Sequence, residues 1–122
     1  MKVIGQFNYK IQFNLEERKK DFEKAMKNCT NKIPVIIERG YNSTLKQIKK
    51  TKYLLPSDLK IGELMRLIHN KLELNYKTAI FLLVASKFAI TGSELLSEIY
   101  KKYKDKDDKF LYISYVEQQT FG

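Results

Sequence analysis

One cysteine, one histidine, two prolines and five scattered glycines leave little room for several common kinds of chemistry. A single thiol, Cys29, cannot close an intramolecular disulfide and suits a reducing compartment. Cys29 and His69 together fall short of the usual zinc ligand sets, and neither sits in a nucleophile–base motif. Cys29 instead reads as a packed thiol. The glycines form no phosphate-cradling loop. Asp105, Asp107 and Asp108 lack the mid-loop Gly and closing Glu of a calcium loop, so a solvated charged connection is expected there. Neither a metal nor a cofactor is expected. The longest apolar run, Ala79 to Ala85, is far shorter than the roughly 20 residues that cross a bilayer. Met1 to Gln6 has no secretory character. No Pro-, Gly- or Ser-rich linker, repeat or low-complexity tract divides the 122 residues, which predicts one domain with one core.

Negative charge is also scarce, in one half of the chain. Residues 1–60 carry 14 Lys and Arg against 6 Asp and Glu, whereas residues 61–122 carry 9 against 8. Nearly all of the +9 formal charge therefore lies in the first half. A one-sided basic surface attracts nucleic acid, anionic lipid or acidic peptides. The stretch Lys46-Gln47-Ile48-Lys49-Lys50-Thr51-Lys52, in a chain with eight Tyr and seven Phe, would suit a stacking nucleic-acid surface. Most of the aromatics sit at core periodicity, however, and no RNA-recognition or helix-turn-helix signature is present.

Residues 1–14 show no clean period and their structure is left open. Asn14, with Glu17 three residues on, predicts the capped start of a helix over 15–28, with Leu15, Phe22, Met26 and Cys29 on one stripe. Ile33 to Glu38 reads as a strand in which Pro34 favours an edge or an opening position. Residues 41–51 read as a basic loop, and Lys52 to Leu55 as a short strand stopped by Pro56. A helix over 61–72 places Ile61, Leu64, Met65, Ile68 and Leu72 on one buried stripe, with Leu67 off it. A buried strand follows at 78–84. Thr91 to Glu94 reads as a capping box opening a helix that buries Leu95, Leu96, Ile99 and Tyr103. The last strand spans 110–115. Two early strands, a crossing helix and a returning last strand describe an α+β fold, a β-grasp with a four-stranded mixed sheet and helices over one face.

Two features stand out as interaction elements. On a strand, Tyr53 and Leu55 share one face and Lys52 and Leu54 the other. Lysines flank this strand, as on a charge-guarded open edge; burial of both faces fits the pattern equally well. The second feature is Gly122, which ends the sequence after a short polar tail. A glycine carboxylate has no side chain beside it and can pass through a narrow enzyme channel to be activated. The plainer alternative is that the chain simply ends there.

Ile33-Pro34-Val35-Ile36-Ile37-Glu38, Lys52-Tyr53-Leu54-Leu55-Pro56-Ser57-Asp58-Leu59 with Gly62, Ala79 to Val84, Ile99-Tyr100, Lys104-Asp105 through Phe110-Leu111-Tyr112-Ile113-Ser114-Tyr115, and Phe121-Gly122 occur in order. The series resembles the autophagy-related ubiquitin-like modifiers, a family that includes the GABA-A receptor-associated protein and microtubule-associated light chain 3. The resemblance runs from about residue 16 to the end. It implies a ubiquitin-like β-grasp over residues 15–122, with an N-terminal helical extension, a flexible C-terminal tail and an arm at 1–14.

The resemblance also implies a function. A non-enzymatic modifier would be joined through Gly122 to phosphatidylethanolamine by ubiquitin-like activating and conjugating enzymes, with a cysteine protease for processing and delipidation. It would be cytoplasmic, and on the autophagosome membrane when lipidated. It would also dock aromatic-x-x-aliphatic peptides of cargo receptors as an added strand. Carried over by position, Asp21, Ala25, Pro34, Lys52, Leu54 and Phe110 would line the aromatic pocket, with Lys32 at its rim. Tyr53, Leu55, Pro56, Leu59, Leu64 and Leu67 would line the aliphatic one. Lys50 and Lys71, with Lys32, would meet acidic flanks. Departures from the family pattern are Cys29-Thr30, Ala25, Leu64 and the segment Ala85 to Thr91. The competing readings are a modifier joined to a protein lysine and a basic nucleic-acid-binding domain.

Overall fold

A computed structural model describes residues 6–118 of the chain. Five strands form one mixed sheet: β1 (Lys32–Arg39), β2 (Lys52–Pro56), β3 (Ile80–Val84), β4 (Phe88–Ile90) and β5 (Leu111–Glu117), in the order β2-β1-β5-β3-β4. The central pair, β1 and β5, is parallel, and the other pairs are antiparallel.

The sheet has one strand more than the expected four. The extra strand, β4, follows a tight reversal in which Ala85 and Ser86 have φ of 53° and 59°. Left-handed turns match the twist of a hairpin and usually announce themselves by Asn or Gly. Here an Ala-Ser pair adopts the conformation, so the usual signal is absent.

Helices cover both faces of the sheet rather than one. α3 (Ile61–Lys71) and α4 (Leu96–Tyr103) pack over the main core with Val35, Ile37, Leu111, Ile113 and Leu82. The opposite face carries a separate aromatic cluster of Phe7, Tyr9, Phe110 and Tyr112 around Ile36, with Phe13 and Phe22 against it. α1 (Asn8–Gln12) and α2 (Leu15–Met26) form that layer. Burial on both sides explains why β1 reads as a continuous apolar run instead of an alternating one.

α2 starts where the sequence predicts. The Asn14 side chain accepts from the Glu17 N–H at 2.9 Å, and Glu17 accepts from the Asn14 N–H at 3.0 Å. Leu15, Phe22, Met26 and Cys29 are all half-buried, a narrow stripe at the rim of the aromatic cluster. α1 has five residues, too few to hold itself in water. Its stability comes from Glu38 on β1, whose carboxylate accepts from the Asn8 and Tyr9 N–H groups at 2.7 and 3.0 Å. A buried anion at a helix N-terminus satisfies two orphan donors at once.

Three further expectations are corrected. Only half of the Thr91–Glu94 box forms: the Thr91 N–H donates to the Glu94 carboxylate at 2.7 Å, but the Glu94 N–H donates to the Thr91 main-chain carbonyl at 3.2 Å, and α4 begins only at Leu96. Leu95 stays extended because it bridges to Lys60, and it and Tyr103 are not fully buried. The strand at 78–84 is buried on one face only, with Phe81 exposed. Pro34 lies inside the sheet, third in β1.

Candidate functional site

The geometry around Pro34 locates an open strand edge. The Ile37 N–H donates to the Thr51 carbonyl at 2.7 Å, and ladder bonds then alternate along β2. Pro34 lies opposite Leu54 at a non-bonded position, so its missing N–H forfeits no bond to β2. Pairing with β5 begins one residue later, at Val35. The same alternation turns the main-chain groups of Lys52 and Leu54 away from β1, toward the free side of the sheet. Among the described residues β2 pairs with β1 alone.

The residues that the resemblance places in an aromatic pocket come from α2, β1, β2 and the residue before β5. Asp21 and Ala25 on α2 are half-buried, Lys52 on β2 is exposed and Leu54 half-buried, and Pro34 is buried. Lys52 Nζ lies 3.3 Å from the Asp21 carboxylate, tying α2 to β2. The Tyr9 hydroxyl donates to the same carboxylate at 2.6 Å. That bond, outweighing a smaller opposing effect of burial, and the Lys52 charge hold the Asp21 carboxyl below its ordinary range. Burial and the Asp21 bond push the Tyr9 phenol far up, so it stays a donor. Phe110 is fully buried, edge-on to Phe22 and Tyr9 at 5.8 and 5.5 Å. Lys32 is exposed at the end of β1.

The residues assigned to the aliphatic pocket divide by depth. Tyr53, Leu55 and Leu64 belong to the main core, Leu64 with no exposure at all. Leu64 therefore lines no surface in this structure, contrary to its expected place in the pocket, because its side chain fills the core under α3. Leu59 is half-buried, Pro56 exposed, and Leu67 is 37% exposed. Leu67 therefore lies off the buried stripe, as the helical period predicts, while Ile68 is fully buried and Met65 packs partly against the core. The ammoniums of Lys50 and Lys71 lie 4.9 and 5.9 Å from the Tyr53 ring centre.

The acidic connection after α4 is solvated only in part: Lys104, Lys106, Asp107 and Lys109 are exposed, whereas Asp105 and Asp108 turn inward. Asp108 is 1% exposed and accepts from Arg18 Nε at 2.8 Å, from the Tyr112 hydroxyl at 2.5 Å and from the Phe110 N–H at 2.9 Å. Asp105 pairs with Lys10 at 2.5 Å and accepts from the Asp107 and Asp108 N–H groups. Burial alone would raise the Asp105 pKa, but Lys10 and those N–H donors outweigh it and lower it. Tyr9, Arg18 and Glu38, which the sequence did not single out, and Asp108, which it placed in a solvated connection, thus clamp the N-terminal layer onto the sheet. The bonds from Tyr9 to Asp21, from α1 to Glu38 and from Arg18 to Asp108 span 12 to 90 residues, beyond any local pattern. Among the described residues no group of three His, Cys, Asp or Glu could hold a metal ion.

A mixed sheet with a parallel central pair, flanking antiparallel strands and α3 crossing one face is a ubiquitin-like β-grasp. Comparison with known proteins agrees. The family model described as "Autophagy protein Atg8 ubiquitin like" matches residues 17–122. The chain is 41% identical to Autophagy-related protein 8 of Kluyveromyces lactis, covering 93% of this chain and 90% of that one. It is 35% identical to Autophagy-related protein 8D of Oryza sativa, covering 93% and 96%. The crystal structure of Trypanosoma brucei ATG8 superposes with a TM-score of 0.86 at 32% identity, covering 96% of this chain and 99% of that one. The chain belongs to the Atg8 family of ubiquitin-like autophagy proteins. No helix among the described residues is long and apolar enough to cross a membrane. Gly122 lies outside the described residues.

Proposed function

We propose that this protein is a modifier joined through the Gly122 carboxylate to phosphatidylethanolamine on autophagic membranes, and that it docks short aromatic-x-x-aliphatic peptides along β2. An activating enzyme joins the carboxylate to AMP from ATP, releasing pyrophosphate, and its cysteine thiol then displaces the AMP to form a thioester. A conjugating enzyme passes the acyl group to the lipid amine, forming an amide and releasing the thiol. A cysteine protease reverses the attachment. These enzymes supply the catalysis and this chain supplies the carboxylate, so it moves between cytoplasm and autophagosome membrane.

The observation that carries the docking half is the free edge at Lys52 and Leu54, beside the Asp21–Lys52 pair. An extended peptide adds there by main-chain bonds and places alternate side chains toward the sheet. Lys32, Lys50 and Lys71 then face the acidic flanks of the peptide.

Both halves are testable with the intact chain. Incubation with the cognate activating and conjugating enzymes and phosphatidylethanolamine vesicles should add one lipid mass, and deletion of Gly122 should prevent it. A Gly122-deleted chain that still gained lipid would refute the attachment. Peptide titration should show a docking affinity that falls on Lys52→Glu; unchanged affinity would refute the edge.

A further inference from the structure

The basic stretch Lys46 to Lys52 is only partly used by this reading, and its remaining lysines converge. Lys46, Lys49, Lys50 and Lys71 line one cleft of about 310 Å³, whose single acid is Glu73. That acid is a weak counterion. It lies 3.8 Å from Lys46, and the two side chains are 84% and 57% exposed. No carboxylate pairs with Lys49, Lys50 or Lys71 among the described residues. Like charges gathered without compensation repel one another, which an incoming anion relieves.

The cleft is built rather than fortuitous. Its lysine-bearing loop is pinned from below by Tyr115, a fully buried residue of β5. The Tyr115 hydroxyl donates to the Lys46 carbonyl at 2.7 Å and accepts from the Ile48 N–H at 2.8 Å. Tyr53 lines the same cleft, 6% exposed, and its hydroxyl is buried with no hydrogen-bond partner. An unpartnered buried donor in the wall of a lysine-lined cleft is open to an acceptor oxygen. The ammoniums of Lys50, before β2, and Lys71, on α3, lie 4.9 and 5.9 Å from the Tyr53 ring centre, so two cations from different parts of the chain gather at one side chain.

We infer that this cleft binds a compact phosphate-ester polyanion, the chemistry of a phosphorylated polyol ring, whether free or as a lipid headgroup. One phosphate is too small to meet four ammoniums spread along such a cleft, whereas several phosphates on one ring can. Single-stranded nucleic acid fits less well. Base binding needs an open aromatic face, and the Tyr53 ring is buried and covered by two lysines.

The test uses the full chain, with inositol trisphosphate titrated at physiological salt. Lys46→Glu with Lys49→Glu should weaken binding by roughly tenfold or more. The same charge change on α4, Lys101→Glu with Lys102→Glu, should leave it nearly intact. Tyr53→Phe, which removes only the hydroxyl, should weaken it by roughly threefold. Lys46 and Lys49 lie outside the docking residues proposed above, so peptide affinity should persist in that double variant; failure of one reading is thus separable from failure of the other. Thermal melts check folding, and Lys46→Gln with Lys49→Gln replaces the reversal if it unfolds. Vesicles of phosphatidylcholine with phosphatidylinositol bisphosphate, against phosphatidylserine at matched charge, distinguish the sources. Binding to the bisphosphate vesicles assigns a headgroup, and binding only in solution assigns a free polyol phosphate. Equal losses from both double variants, no saturable binding, or displacement by an oligonucleotide at equal affinity would each overturn the inference.

Discussion

Replacing Asp108 with Asn keeps the side-chain shape and removes one charge from the clamp that holds the N-terminal layer on the sheet. In the native protein Oδ2 receives both Arg18 Nε–H and the Tyr112 O–H, and Oδ1 receives the Phe110 N–H. An Asn that keeps its oxygen toward Phe110 turns its NH₂ toward two donors. The Tyr112 hydroxyl can rotate to accept; the Arg18 Nε–H cannot. A guanidinium 11% exposed at the side chain is then left without its counter-charge. Breaking a buried pair by removing one partner costs about 3–5 kcal/mol. Arg18 keeps its bond to the Phe13 carbonyl at 2.7 Å and some exposure, which places the expected loss at about 2–4 kcal/mol. For a domain of this size that lowers Tm by about 10–20 °C. Urea unfolding should show a shifted midpoint with unchanged slope. The same substitution in an Arg18→Gln background should cost much less, because the pair is already broken. A loss below about 1 kcal/mol, or equal losses in both backgrounds, would show that Asp108 is not the centre of the clamp.

Further outcomes follow from the same geometry. Ile68→Ala should cost about 2–5 kcal/mol by melt, since Ile68 is fully buried, whereas Leu67→Ala should cost far less stability and weaken peptide docking. Equal destabilisation by the two would place Leu67 in the core. Asp21 and Asp105 have lowered folded pKa values, so their contribution is complete above the unfolded value of about 3.9 and is lost as pH falls through the folded values. Tm should therefore be flat from neutrality down to about pH 5 and drop below about pH 4, and Asp21→Asn with Asp105→Asn should flatten that acid limb. An acid limb parallel to that of the native chain would assign the loss to other carboxylates. Gly40→Ala should destabilise by about 1–3 kcal/mol, because a Cβ there meets Val116 Cγ1 at 2.4 Å and the Tyr115 carbonyl at 3.2 Å; an unchanged urea midpoint would mean that β5 yields freely.

Much of the fold was legible in local sequence because local patterns specify it. Asn14 and Glu17 cap α2 through each other, three residues apart. The spacing of Ile61, Leu64, Ile68 and Leu72 separates a buried stripe from Leu67 without reference to any other element. The ordered motifs from Ile33 to Tyr115 carried the family. Of the candidate site, the strand from Lys52 to Leu55 and the position of Leu67 were likewise readable, since alternation and helical period decide which way a side chain points.

What tertiary structure alone decided depends on partners far along the chain. Five residues at 8–12 become a helix because Glu38, some 30 positions later, receives their first N–H groups. Asp108 is buried because Arg18, 90 residues earlier, neutralises it; by composition alone an acid among lysines reads as solvated. β4 exists because Ala85 and Ser86 accept left-handed backbone when β3 offers an unpaired edge. α4 starts late because Lys60 holds Leu95 extended. Period and capping act over three to eleven residues, so sequence determined α2, α3 and the longer strands and which side α3 turns inward, but not α1, β4 or the start of α4. Ion pairs, orphan hydroxyls and edge pairing act through space, so only the folded chain decided which charges are buried, where β2 stays open and which lysines share a cleft.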